Sequence, residues 1–182
     1  MPRQDLPITS YALLGLLTFG DELTGYELKQ RADMTLRFYW VSPAMSQVYS
    51  ELARLTEAGL VHKLGEGRGT TYRITAHGRR DLAAWMRETP AGFQVLKHPV
   101  ALRLLLGHLV DTDDTLAMLR SHLTALEEEL SALREVRESL RGADHDGEVF
   151  RHPALVADWG LDYLGAEREI VARLVKRVEA GE

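Results

Sequence analysis

Ser46, Gln47, Tyr49, Ser50 and Arg54 fall within nine residues and carry hydroxyl, amide and guanidinium groups. All can bond base edges or phosphate oxygens, so the chemistry they offer is non-covalent recognition. Nothing else in the chain makes a stronger claim. The seven histidines are scattered, and no Ser/His/Asp order or paired carboxylate stands out, so no enzyme is expected. The absence of cysteine excludes disulfides, a thiolate nucleophile and thiolate metal sites. Gly65, Gly67 and Gly69 resemble a phosphate loop only superficially. Neither an opening helix nor Lys-Ser/Thr follows them, so no nucleotide or other cofactor is expected. Asp144, His145, Asp146, Glu148 and His152 are ligand-capable but lack zinc spacing, so they read as an acidic surface loop without a metal.

The recognition groups need a helix to carry them. Across Ser42 to Leu60, Ser42 is the expected N-cap, Pro43 the first helical residue and Gly59 the left-handed stop. At 100° per residue, Met45, Val48, Leu52 and Leu55 form one apolar stripe. Ser46, Gln47, Ser50 and Arg54 fall opposite, with Tyr49 on the flank. An ordinary amphipathic surface helix shows the same pattern, so its neighbours decide.

Before it, residues 1–7 read as a loose arm. Ile8 to Phe19 is apolar nearly all round, with Ala12, Leu13, Leu14, Leu16 and Leu17 as expected core. Gly20, Asp21 and Glu22 break that helix. Thr24 caps a second helix, Gly25 to Met34, with Tyr26, Leu28 and Ala32 inward and Lys29 and Arg31 outward. Phe38, Tyr39, Trp40 and Val41 form an aromatic connector expected to pack under the third helix. After Gly59 the apolar period changes, and Leu60 to Leu64 and Thr71 to Thr75 read as a β-hairpin around a glycine-rich tip. Three helices followed by a hairpin is the order of a winged helix-turn-helix. Thr75 caps a fourth helix, Ala76 to Thr89, with Leu82, Ala83, Trp85 and Met86 inward. Thr89-Pro90-Ala91-Gly92 ends it and marks a domain boundary, giving domains 1–90 and 91–182.

The second half reads as three helices. Val95 to Leu109 is apolar. Thr115 to Leu140 carries Leu116, Leu119, Leu123, Leu126, Leu130 and Leu133 at the 3.5-residue period of a coiled-coil seam. A second copy of the chain is the economical partner for that seam. Pro153 to Glu179 repeats a near-heptad stripe through Val156, Trp159, Tyr163, Ala166, Ile170, Leu174 and Val178, expected against the long helix or its symmetry mate. The fold class is therefore mainly α: an N-terminal winged helix-turn-helix with a two-stranded wing, and a C-terminal three-helix dimerisation domain.

The net charge of −5 hides an uneven distribution. Residues 1–90 hold 11 Lys+Arg against 10 Asp+Glu, and residues 91–182 hold 11 against 17. Within residues 42–80 the balance is six basic to three acidic, compatible with phosphate binding. No stretch has the length and apolarity of a membrane span and no export signal is evident, so a cytoplasmic, membrane-free protein is expected.

YALLGLL (Tyr11 to Leu17), TGYEL (Thr24 to Leu28), SQVYSELARLTEAGLV (Ser46 to Val61) and TTYRITAHGRRDLAAW (Thr70 to Trp85), in this order and spacing, resemble the PadR-like transcriptional regulators. The resemblance covers the first half, and the length and three C-terminal helices are similar to the longer subfamily. It implies a homodimeric bacterial repressor that binds a palindromic operator in double-stranded DNA and releases it when an effector binds. The second half matches only in helix order and length, so the effector's identity does not carry over, and a small aromatic or hydrophobic compound is the expectation.

Expected DNA contacts are Ser46, Gln47, Tyr49, Ser50 and Arg54 on the helix and Lys63, Arg68, Thr70 and Thr71 on the wing. Thr24 and Tyr26 add phosphate contacts where helix N–H groups point outward. Effector candidates are Trp85, Phe93, His108, Trp159 and Tyr163, aromatic groups with polar handles that equally suit a core. Expected dimer contacts are Leu116, Leu119, Leu123, Leu126, Leu130, Leu133, Trp159, Ile170 and Leu174. The competing reading is a winged-helix protein-interaction module that uses the seam without binding DNA.

Overall fold

A computed structural model describes residues 6–20, 22–92 and 97–181, the Arg68 side chain excepted. Asp21, Phe93, Val95 and the first five residues of the expected arm lie outside the described residues. The chain divides into two units, Met1–Gly92 and Phe93–Glu182.

In the first unit, α1 (Ile8–Leu16) runs into a 3₁₀ turn at Leu17–Phe19. Leu13, Leu14 and Leu17 are fully enclosed, and Ala12 lies on a half-buried side. α2 (Gly25–Thr35) opens with a complete capping box: the Glu27 N–H donates to Thr24 Oγ1 at 3.2 Å, and the Thr24 N–H donates to the Glu27 carboxylate at 2.7 Å. Leu28 and Ala32 face the core as expected, whereas Tyr26 is exposed. Lys29 and Arg31 are half-buried rather than outward: Lys29 pairs with Asp33, and Arg31 donates to the Leu16 carbonyl at 3.1 Å.

α3 (Met45–Glu57) buries Val48, Leu52 and Leu55 completely. Each such side chain contributes about 1.5–3 kcal/mol of apolar burial. Its end follows the sequence: Gly59 has φ +70°, the Leu60 N–H donates to the Leu55 carbonyl and the Gly59 N–H to the Thr56 carbonyl, a Schellman closure. Its start does not. Ala44, without a side-chain cap, occupies the N-cap position. Ser42 donates instead to Asp33 Oδ1 at 2.6 Å, a charged acceptor that wins the hydroxyl from uncharged backbone. Lys29 first, then Ser42, holds the Asp33 carboxyl below its ordinary range. The aromatic connector is also less enclosed than its composition predicts. Tyr39 and Trp40 are exposed and Phe38 half-buried beneath the Arg37 guanidinium, 4.4 Å from the ring centroid.

β2 (Val61–Leu64) and β3 (Thr71–Ile74) form the expected hairpin, with Val61 opposite Ile74 and Leu64 opposite Thr71. The sequence did not reveal β1 (Leu23–Thr24), which pairs antiparallel with β3 to make a three-stranded sheet of order β1-β3-β2. Two residues carry no alternation by which to recognise a strand. α4 (Ala76–Glu88) is capped by Thr75 Oγ1, which accepts from the Gly78 N–H at 2.8 Å. A Cβ on Gly78 would lie 2.2 Å from the Leu60 carbonyl oxygen, so only glycine permits this crossing. Leu82 is buried, but Met86 is exposed rather than inward.

The second unit contains α5 (Pro99–Leu105), α6 (Thr112–Ser139) and α7 (Arg151–Glu179). The long apolar helix expected before Leu109 is short, ending at Leu105 and followed by a 3₁₀ turn, Gly107–Leu109. Leu116, Leu119, Leu126, Leu130 and Leu133 are buried, so the α6 seam has its partner, α7, within the same chain. The α7 stripe that packs inward is not the expected one. Ala154, Ala157, Gly160, Val171 and Val175 are buried, whereas Trp159, Tyr163 and Ile170 are exposed and Leu174 is half-buried. Small residues let the axes approach: a Cβ on Gly160 would come within 2.9 Å of Leu133 Cδ2. Among the described residues no helix is long and apolar enough to cross a membrane.

Candidate nucleic-acid interface

Ser46, Gln47, Tyr49, Ser50 and Arg54 are all exposed on α3, Tyr49 on the flank and the others turned away from Val48, Leu52 and Leu55. Their freedom differs. Ser50 Oγ returns to the Ser46 carbonyl at 3.0 Å, while Arg54 Nη1 is held by both Glu51 oxygens at 2.8 and 2.9 Å. Arg54 is thus a positioned cation rather than a loose one. Glu51 is itself buried and accepts a hydrogen bond from the fully buried Ser10 of α1. This pin was missed. Its signal was available: Glu51 stands three residues after Val48, at the buried phase of the helix.

Thr24, Tyr26, Tyr49, Lys63 and Thr70 line one shallow concavity with Gly67 and Tyr72. It joins the start of α2, the flank of α3 and the wing. Gly25 makes the junction possible, because a Cβ there would meet the Tyr49 ring at 2.5 Å. Burial pushes the Tyr72 hydroxyl above its ordinary range, with the nearby Tyr49 adding to it. Gly65 and Gly67 take positive φ, +79° and +65°, and the tip closes in a 3₁₀ turn, Gly67–Gly69. Arg68 lies in that turn, with its side chain outside the described residues. Thr70 Oγ1 donates to the Gly67 carbonyl at 2.9 Å. Thr71 instead donates to Glu22 at 3.2 Å, and Arg73 pairs with the same carboxylate at 3.4 Å. At the α2 N-terminus the Glu27 carboxylate accepts from the Thr24 N–H at 2.7 Å and from the Thr24 hydroxyl at 2.8 Å. Its hydrogen bond from the Thr24 backbone, then from the Thr24 side chain, holds it below its ordinary range.

Of the effector candidates, Trp85 packs in the first unit's core, stacked on Tyr11 with centroids 4.7 Å apart. His108 is exposed in the turn after α5, and Phe93 lies outside the described residues. Trp159 and Tyr163 stack on each other, centroids 5.4 Å apart, on the outer side of α7. The acidic loop is tied by ion pairs: Asp144 to Arg137 at 3.0 Å and Asp146 to Arg151 at 2.8 Å.

Three helices, a three-stranded wing and a polar outward face on α3 define a winged helix-turn-helix protein. Residues 13–84 match the model of the Transcriptional regulator PadR-like family, and residues 96–175 that of the Virulence activator alpha C-term. The first unit thus carries the DNA-binding domain of a PadR-like transcriptional regulator, and the second the C-terminal domain found in virulence activators. The chain's fold is similar to that of the PadR-like transcriptional regulator BC1756 from Bacillus cereus (24% identity, 95% of this chain and 99% of that one, TM-score 0.78). It is also similar to Bacillus subtilis PadR in complex with operator DNA (22%, 94% and 99%, 0.78). The same PadR is known in complex with p-coumaric acid (22%, 95% and 99%, 0.77). The Vibrio cholerae virulence activator AphA matches at 19% identity over 95% of this chain and 99% of its own, with TM-score 0.73. No curated protein sequence matches.

Proposed function

We propose that the chain acts as a homodimeric repressor, with α3 in the major groove of each half of a palindromic operator and the wing on the adjacent backbone. The observation that carries this reading is the convergence of Thr24, Tyr26, Tyr49, Lys63 and Thr70 on one concavity beside the exposed Ser46, Gln47 and Ser50. Lys63 supplies a phosphate-directed charge, and Gln47 an amide able to pair with an adenine edge. Arg68 belongs to the same wing contact. Arg54 acts from its Glu51 clamp, and Thr71 contributes less because Glu22 holds its hydroxyl.

Dimerisation falls to the C-terminal unit, residues 93–182, where Leu102, Leu105, Leu109, Trp159 and Ile170 are exposed. Such apolar area suits an isologous two-fold contact. The α6 leucines support it indirectly, by holding α7. An effector, a small aromatic or hydrophobic compound, acts through the same unit. The p-coumaric acid complex of Bacillus subtilis PadR makes a phenolic acid the first compound to test. The C-terminal match to the Virulence activator alpha C-term favours a second reading, in which the bound dimer activates transcription.

Genomic fragments selected by the protein, followed by anisotropy titrations and a promoter reporter, test these points. Gln47→Ala relaxes preference at one base position by about 1–3 kcal/mol. Lys63→Ala weakens all sequences alike and lowers the salt slope by about 1. Unchanged affinity in both variants overturns the placement, and absence of binding to any duplex supports the protein-interaction module. The sign of the reporter response separates repressor from activator.

A further inference from the structure

The second unit contains one side-chain constellation that DNA recognition leaves unused. His98 is the residue before α5, His122 lies on α6 and Glu167 on α7. The imidazole Nε2 atoms of both histidines converge on the same carboxylate oxygen, Glu167 Oε1, at 2.6 and 2.7 Å. Their rings stand nearly perpendicular, 82° apart with centroids separated by 5.6 Å, so they approach that point from different directions. The three donor atoms lie within 4.8 Å of one another. All three side chains are partly buried, at 19%, 25% and 17% exposure, so each keeps some contact with solvent. Burial pushes the Glu167 carboxyl up, but the hydrogen bonds from His122 and His98 outweigh it and leave the group below its ordinary range.

We propose that His98, His122 and Glu167 form a binding site for one divalent transition-metal ion, of which Zn²⁺ is the representative. Two nitrogens and one carboxylate oxygen suit a borderline ion rather than Mg²⁺ or Ca²⁺, which prefer all-oxygen shells. In a tetrahedral zinc site with bonds near 2.0–2.1 Å, donor atoms stand about 3.3 Å apart. The two nitrogen-to-oxygen spacings must therefore open by roughly 0.6–0.7 Å from their 2.6 and 2.7 Å, within the reach of side-chain rotation. Water would supply the fourth ligand. The ion would tie together the start of α5, the middle of α6 and the middle of α7, three segments far apart in sequence.

The His98 ring adds a distinctive consequence. Its Nδ1 accepts the Ala101 N–H at 3.3 Å, which assigns the ring proton to Nε2, donating to Glu167. A metal on Nε2 would need a free lone pair there, so the ring proton would have to leave Nε2 for Nδ1. Donor then faces donor at Ala101, and the α5 cap is lost. Metal binding and the cap exclude each other.

The test uses the full chain, stripped with a chelator and titrated with ZnCl₂ by calorimetry. One ion per chain is expected, unmoved by a large excess of Mg²⁺. Glu167→Gln and His122→Ala should each weaken it on the order of a hundredfold or more, since loss of even an outer-shell partner costs 10–100-fold. Independently of those variants, long-range ¹⁵N–¹H spectra of the wild-type chain should show the His98 proton on Nε2 without metal and on Nδ1 with it, and the Ala101 amide should shift. Failure to bind zinc, affinity unchanged in both variants, or binding without a tautomer change at His98 overturns the assignment.

Discussion

α3 and α7 are both long amphipathic helices, yet they resolve their two faces oppositely. In α3 the large apolar residues point inward, and Ser46, Gln47 and Ser50 point out. In α7 the small residues Ala154, Ala157 and Gly160 point inward, while Leu155, Trp159 and Ile170 remain outside. The difference lies in the partner. α3 sits against α1 and α2 across a core that large side chains must fill. α7 lies along the leucine-rich α6: in its first half small residues allow close approach at Leu133, and in its second half Val171 and Val175 pack against the leucines. Apolar period reveals that a helix has a stripe, and the space its partner leaves decides which residues lie inside.

That contrast can be broken at three levels. Leu52→Ala in α3 should cost about 2–5 kcal/mol in thermal or urea unfolding, because Leu52 is fully enclosed. Trp159→Asp should change the unfolding free energy of the dilute chain by no more than about 0.5 kcal/mol and instead shift sedimentation from dimer to monomer. If Trp159→Asp unfolds the chain, α7 has been read with the wrong side inward. Next, Gly160→Leu should destabilise by about 1–3 kcal/mol through overpacking against Leu133. Ser50→Leu on exposed α3 should leave the unfolding curve in place. The smallest effect concerns caps. Thr24→Ala should cost about 0.5–2 kcal/mol, whereas Ser42→Ala should cost less, because Lys29 still pairs with Asp33. Equal losses would return Ser42 to the role of a helix cap.

Much of the first unit was legible because its signals are local. Thr24 and Thr75 cap the helices they precede, Gly59 stops α3, and the change of period after it marks the wing. The outward α3 residues followed from the stripe. The illegible parts depend on residues distant in sequence. β1 exists only because β3 offers an edge, Ser42 was claimed by Asp33 nine residues earlier, and Glu51 was claimed by Ser10 on α1. In the second unit the α6 leucines were readable, but their partner was not, because one chain or two satisfies a heptad equally. The histidine-carboxylate trio spans residues 98–167 and has no spacing signature at all.

The buried Ser10 to Glu51 hydrogen bond carries a mechanical consequence. Apolar contacts resist separation of two helices better than they resist rotation of one about its own axis, since leucine side chains can change rotamer and keep their volume. A directional bond between α1 and α3 works as an index pin against such roll. With side chains on a radius of about 5–6 Å, a 20° roll would carry an outward tip by roughly 2 Å, several times the tolerance of a hydrogen bond. Pinned at Glu51, α3 presents Gln47 at a fixed azimuth.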